Sequence, residues 1–182
     1  MATITIIGMR GAGKSNVSRR LSVFTKRPVF ATDTMVEYEA GGRRVADLVA
    51  AQGWPAFRER EFVVLRKILR MDEIIIDAGG GLVIDLDEQG REVFSDRKVD
   101  LLRGAGPVIW LQGDVPRLVA KVAAKADRPA LTTSAAVLDL MLARQQMYEQ
   151  AATQTVDIEG KRREEIALEI LETLGMEPAG SP

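Results

Sequence analysis

The 182-residue chain contains no cysteine and no histidine. The first absence excludes a disulfide framework, a thiol nucleophile and any thiolate metal site. The second excludes imidazole general bases, histidine-ligated metals and a Ser-His-Asp triad, so any chemistry must use carboxylates, lysine, arginine, hydroxyl groups and a hard cation. An excess of one charge is missing too. Lys and Arg number 25 against 26 Asp and Glu, a formal net charge of −1, and no long block of like charge marks a nucleic-acid surface. No apolar stretch approaches the roughly 18 residues that span a bilayer, and the chain passes from Met1 straight into an apolar run, so a cytoplasmic location is expected. Repeats and low-complexity tracts are also lacking. What remains is 46% hydrophobic residues in a length that suits one core, and hence one domain over residues 1–175.

The stretch Gly8-Met9-Arg10-Gly11-Ala12-Gly13-Lys14-Ser15 stands out. It follows the apolar run Ile4-Thr5-Ile6-Ile7 and precedes an amphipathic run, which predicts strand, glycine loop and helix. With the spacing GxxxxGK[ST], successive backbone N–H groups wrap a phosphate at the positive end of the helix. Gly11, Ala12, Gly13, Lys14, Ser15 and Asn16 are therefore candidate ATP contacts. Lys14 would reach the β- and γ-phosphates, and the Ser15 hydroxyl would ligate Mg²⁺. Asn16 stands where many such loops carry a second hydroxyl.

Strand-like runs at Thr3–Ile7, Pro28–Ala31, Glu73–Asp77, Pro107–Leu111 and Thr155–Ile158 alternate with helical patterns, which predicts an α/β fold with a parallel sheet covered on both faces. The helix after the glycine loop should span about Gly13 to Thr25, with Val17, Leu21 and Phe24 inside. About 40 residues separate strands two and three, too many for one crossover helix. The excess reads as a helical insertion, Val36 to Arg70, broken at Gly41-Gly42 and at Gly53-Trp54-Pro55. Leu82–Arg103 reads as helical around Leu86–Phe94, with little function. Lys121–Leu131, containing Asp127-Arg128-Pro129, is either a mobile cover over a phosphate site or an ordinary basic loop. The tail Met176–Pro182 reads as disordered.

Several side chains carry two readings each. Asp33, at the end of strand two, lies where α/β folds place ligands, or caps a helix Thr34–Glu39. Arg58 with Glu61 is a solvated pair worth about 0.3–0.5 kcal/mol, or an arginine held ready for a substrate carboxylate. Asp77 could support a Mg²⁺ shell from the end of strand three, and Gly79-Gly80-Gly81 lets a backbone approach a ligand closely. Arg144 falls on the apolar stripe of a helix Ala135–Ala151, so it faces an anionic or polar ligand, or else Glu149 or another acid. Lys161-Arg162-Arg163 edges an adenine pocket or is simply solvated.

Taken together, Gly8 to Ser15, Thr32-Asp33, Gly53-x-x-x-Phe57-Arg58-x-x-Glu61, Gly79-Gly80-Gly81, Arg128-Pro129 and Arg144-x-x-x-Tyr148 resemble the shikimate kinase family over residues 3–174. The resemblance implies a three-layer α/β/α P-loop kinase with a five-stranded parallel sheet of order 2-3-1-4-5. A substrate-binding insertion over 33–61 and a lid over 121–133 come with it. It further implies a monomer that transfers the γ-phosphoryl of ATP to the 3-hydroxyl of shikimate with Mg²⁺. By the same resemblance Asp33 engages the acceptor hydroxyls and takes the proton. Arg58 and Arg144 grip the acceptor carboxylate against Gly79, Gly80 and Gly81. Arg128 joins Lys14 at the transferring phosphoryl, and Lys161, on the reading of the basic triplet as an adenine edge, is added to the ATP contacts. Ala31 departs from the family, which carries a second carboxylate there, and Asp77 is expected to supply the lost charge. Lys121 replaces an arginine that packs on adenine. Two rivals are weighed: a gluconate kinase, whose acceptor segment uses a histidine absent here, and a non-catalytic binding protein, suggested by Ala31 alone.

Overall fold

Near-continuous apolar strands dictate the frame. In the computed structural model, which describes residues 2–124 and 134–179, β1 (Ile4–Ile7) and β3 (Ile75–Asp77) are buried at every position, and β6 (Val108–Gln112) at four of five. Successive strand side chains point to opposite faces, so burial of consecutive residues requires a cover on both. With β2 (Val29–Ala31) and β7 (Gln154–Asp157) they form one parallel sheet in the order β2-β3-β1-β6-β7. Two further strands, β4 (Ile84–Leu86) and β5 (Glu92–Phe94), lie outside it as an antiparallel hairpin. The numbering therefore differs from 2-3-1-4-5, and setting the hairpin aside recovers that order.

The helices are α1 (Lys14–Thr25), α2 (Thr32–Glu39), α3 (Val45–Ile68), α4 (Asp96–Ala105), α5 (Val115–Ala123), α6 (Ser134–Ala151) and α7 (Arg163–Thr173). None in the described residues is long and apolar enough to cross a membrane. The core is a single cluster in which Ile6, Leu21, Leu65, Val99, Ile109 and Ile166 are sealed from water. α3 is two helices joined at Gly53, whose φ of 79° and ψ of 169° break the helical run. A side chain there would be strained. Pro55 then falls in the first turn of the second half, where a missing N–H costs nothing.

Three expectations change. The 82–103 segment, read as one helix around Leu86–Phe94, is the β4–β5 hairpin followed by α4. Asp87 explains it: its Oδ1 accepts from the N–H groups of Gln89 and Arg91 and closes the turn. In the tail read as disordered from Met176, Met176 packs against the core and the exposed Ala179 donates its N–H to the Phe24 carbonyl at 2.6 Å. Asp33 is not a cap, because α2 starts at Thr32 with Ala31 at its N-cap. The lid expected over 121–133 is described only to residue 124, where Lys121 belongs to α5 and its Nζ donates to the Gly11 carbonyl at 3.0 Å. Arg128 lies outside the described residues.

Candidate active site

The carboxyl ends of β1, β2 and β3 converge because the sheet is parallel, and the loops leaving them build the site. After β1, the glycine loop turns into α1 at Gly13. Lys14 folds back over it, donating to the carbonyls of Gly8 at 2.8 Å and Met9 at 3.1 Å. Desolvation pushes its pKa down against the opposing charges of Asp77 and Asp33. Ser15 and Asn16 are exposed on the first turn of α1, with Asn16 facing Arg19. The segment before α7 contributes differently from the sequence expectation. Lys161 forms an ion pair with Glu169 at 2.6 Å. Arg163 instead reaches the glycine loop: a Cβ on Gly13 would fall 2.6 Å from its guanidinium carbon.

After β2 comes Asp33, and after β3 comes Gly79-Gly80-Gly81, which ties the site together. None of the three glycines has a positive φ, so the turn they enter, closed by Leu82 N–H on the Gly79 carbonyl, does not itself require glycine. They are there for space. A Cβ on Gly79 would collide with the Asp33 carboxylate and one on Gly81 with the Arg58 guanidinium, while the nearest atom beyond Gly80 is the backbone N of Arg10 in the glycine loop. The Thr32 hydroxyl accepts from Gly79 N at 2.8 Å and fixes this strand end against α2. The buried Tyr148 hydroxyl donates to the Gly80 carbonyl, anchoring α6 on the same triplet. Burial pushes the Tyr148 phenol up to about 12, so it stays a donor.

Asp33 opens to water at the crevice but is crowded on its other sides. Desolvation, then the charge of Glu61, raise its pKa to about 6 against the pull of Lys14, with Asp77 and Glu37 adding to the rise. Asp77 pairs in register with Ala31 on one side and Ile6 on the other. Asp77 thus lies one strand over from Ala31, and its field reaches Lys14.

The arginines occupy the far end. Arg58 and Glu61 are 4% and 1% exposed, which rejects the solvated-pair reading. Arg58 Nη1 donates to Glu61 at 2.8 Å and to the Gly81 carbonyl at 3.1 Å, its plane stacks near Trp54 at 5.2 Å, and its buried Nε has no partner among the described residues. Arg144 finds an acid, but not Glu149. Its Nε donates to Glu92 of β5 at 2.7 Å and its Nη2 donates to the other oxygen of the same carboxylate. Burial works against the Arg144 charge, yet the hydrogen bonds and charge of Glu92 hold its pKa above the ordinary arginine range. Glu92 Oε1 also lies 3.8 Å from Arg58 Nη2.

Lys98 was not singled out by its sequence, since it is one lysine in a charged helix. It is fully buried and reaches the Ile84 carbonyl at 2.7 Å, Asp85 at 3.0 Å and Glu61 at 3.4 Å. Burial pushes its pKa down against the raising effect of Glu61 and Asp85. Arg97 closes the chain of charges on Asp85 and Glu59.

A family model described as shikimate kinase matches residues 10–175. A shikimate kinase of Leptospira biflexa is 41% identical over 176 residues, covering 97% of each chain. One of Leptospira borgpetersenii is 36% identical, covering 91% of this chain and 94% of that protein. In three dimensions, the structure of shikimate kinase from Acinetobacter baumannii in complex with shikimate superposes with a TM-score of 0.81 at 23% identity, over 96% of this chain and 93% of that one. Matched across nearly its whole length by the family model and by relatives well above 30% identity, the chain belongs to the shikimate kinase family.

Proposed function

We propose that this chain is an ATP-dependent shikimate kinase in which the glycine loop holds the triphosphate and the Gly79–Gly81 wall presents the acceptor to it. One observation carries the reading: Asp33, Arg58 and the Tyr148 anchor of α6 all rest on that triplet, whose middle member faces the glycine loop. Arg58 and Arg144 then grip the acceptor carboxylate, for which the planar guanidinium fork is suited. Asp33 lies between carboxylate grip and phosphate loop, where it can accept the proton of the attacking hydroxyl. A base with a pKa near 6 is ionised at neutral pH and still able to take a proton. Lys14 stabilises charge on the transferring phosphoryl. Arg128 is assigned to the same task, and Arg163 joins Gly11, Ala12, Gly13, Ser15 and Asn16 as an ATP contact, with Lys161 behind it.

Ser15 and Asp77 offer a hydroxyl and a carboxylate, the hard oxygen donors that Mg²⁺ takes alongside phosphate oxygens and water. The case for Asp77 rests on its register pairing with Ala31, and that for Ser15 on its exposed place in the first turn of α1. When bound, the ion offsets phosphate charge. Asp77→Ala should raise the magnesium concentration for half-maximal rate about tenfold, and an unchanged magnesium profile rejects the assignment. An ADP-release assay tests the whole reading: turnover with shikimate and none with gluconate is expected. ADP release that ignores shikimate overturns it.

A further inference from the structure

Glu92 is a resident of the acceptor pocket that no family motif called for. Among the described residues its carboxylate pairs with Arg58 and Arg144 alone. The pairing has the form of a bound ligand: two donors of Arg144 take both carboxylate oxygens, and one of those oxygens faces the second arginine. Glu61, the other acid here, is different. It is 1% exposed and locked by Arg58 and Lys98 from two helices. The Glu92 side chain is 18% exposed and hangs from the outer strand of a hairpin that belongs to no larger sheet, with an exposed tip at 88–91. Nothing in the main sheet needs to shift for it to leave.

We propose that Glu92 occupies the seat of the acceptor carboxylate, so that acceptor binding exchanges one carboxylate for another on the same two guanidinium groups. This rests on the reading that Arg58 and Arg144 hold the acceptor. Two consequences follow from physical chemistry. In the empty pocket Arg144 is never left as a desolvated, unpaired guanidinium beside Arg58, which keeps Glu61; an unpaired charge there would be costly. A neutral polyol that displaced Glu92 would leave the Arg144 charge without a counter-charge, whereas an acid replaces the one it removes, so Glu92 sharpens selection for acids. The occupied seat also lowers apparent affinity by the fraction of molecules in which it is free.

Steady-state kinetics of the wild type, Glu92→Gln and Arg144→Ala tests this. Glutamine keeps the shape and removes the charge, so Glu92→Gln should lower the shikimate KM about three- to tenfold, leaving kcat and the ATP KM within about twofold. A shikimate KM that is unchanged or raised overturns the exchange, the raised value making Glu92 a positioning residue for Arg144. Arg144→Ala separates this failure from failure of the underlying reading: if it leaves the shikimate KM untouched, the arginine does not hold the acceptor. In the wild type, amide hydrogen exchange over 84–94 should quicken when shikimate is added, because the hairpin loses its anchor. Unchanged or slowed exchange there overturns the proposal independently of any variant.

Discussion

The two ends of the crevice handle charge in opposite ways. At the glycine loop, Lys14 meets backbone carbonyls, and the nearby carboxylates Asp33 and Asp77 act on it through their fields. Its positive charge is left available. At the acceptor end every cation is already matched: Arg58 with Glu61, Arg144 with Glu92, Lys98 with Glu61 and Asp85. The phosphate cradle itself is one contiguous stretch of main chain, reached by Lys121 of α5 and Arg163 of α7, and the acceptor end is built from side chains of α3, α4, α6 and the hairpin. A contiguous backbone cradle needs glycine spacing and little else. A side-chain cluster drawn from four elements must be electrically neutral before it can be buried, and that neutrality is what ligand binding has to rearrange.

Four substitutions probe the contrast. The largest effect belongs to Asp33, which sits between the ends. Asp33→Asn should lower kcat by about 10²–10⁴, and the wild-type rate should fall on the acid side with an apparent pKa near 6, a limb the variant lacks. The stability consequence has the reverse sense. Because the folded pKa lies above the unfolded 3.8, the folded chain holds the proton more tightly, and stability declines as pH rises from about 4 to about 6. Asp33→Asn should therefore melt slightly higher than the wild type at pH 7, by less than about 1 kcal/mol given the open side of the carboxyl.

Next is Lys98→Ala, which strips the buried cation from Glu61 and Asp85. A loss of about 3 kcal/mol in denaturant unfolding is expected, and a change below about 1 kcal/mol would mean that the acceptor end needs no internal neutralisation. Arg144→Ala should raise the shikimate KM about 10–100-fold with the ATP KM preserved, as loss of a bidentate charged contact implies. Parallel loss of both ligands would dissolve the distinction between the ends. The smallest effect is expected at Lys67, whose ion pair with Glu39 lies on the surface. Lys67→Ala should change stability by less than about 0.5 kcal/mol.

The same contrast explains what could be read from the chain alone. The glycine loop, the parallel sheet and the break at Gly53 follow from local spacing and from near-continuous apolar strands, whereas the strand order comes from the family resemblance. Arg58, Arg144 and the glycine triplet were legible as residue types in register. Their partners were not. Glu92 lies in a stretch that looks helical by composition, although Ile84-Asp85-Leu86 and Glu92-Val93-Phe94 alternate around a turn containing Gly90, a hairpin signal. Its meeting with Arg144 depends on how the hairpin packs against α6, and that of Lys98 with Glu61 on how α4 packs against α3. No short-range pattern encodes that.

A crystal structure of the chain with ADP and shikimate is the most direct measurement of the central claim, that triphosphate and carboxylate meet across one crevice. The account predicts the shikimate carboxylate between Arg58 and Arg144, its 3-hydroxyl beside Asp33, and the ADP phosphates in the loop from Gly8 to Ser15. A shikimate molecule bound away from both arginines would contradict it.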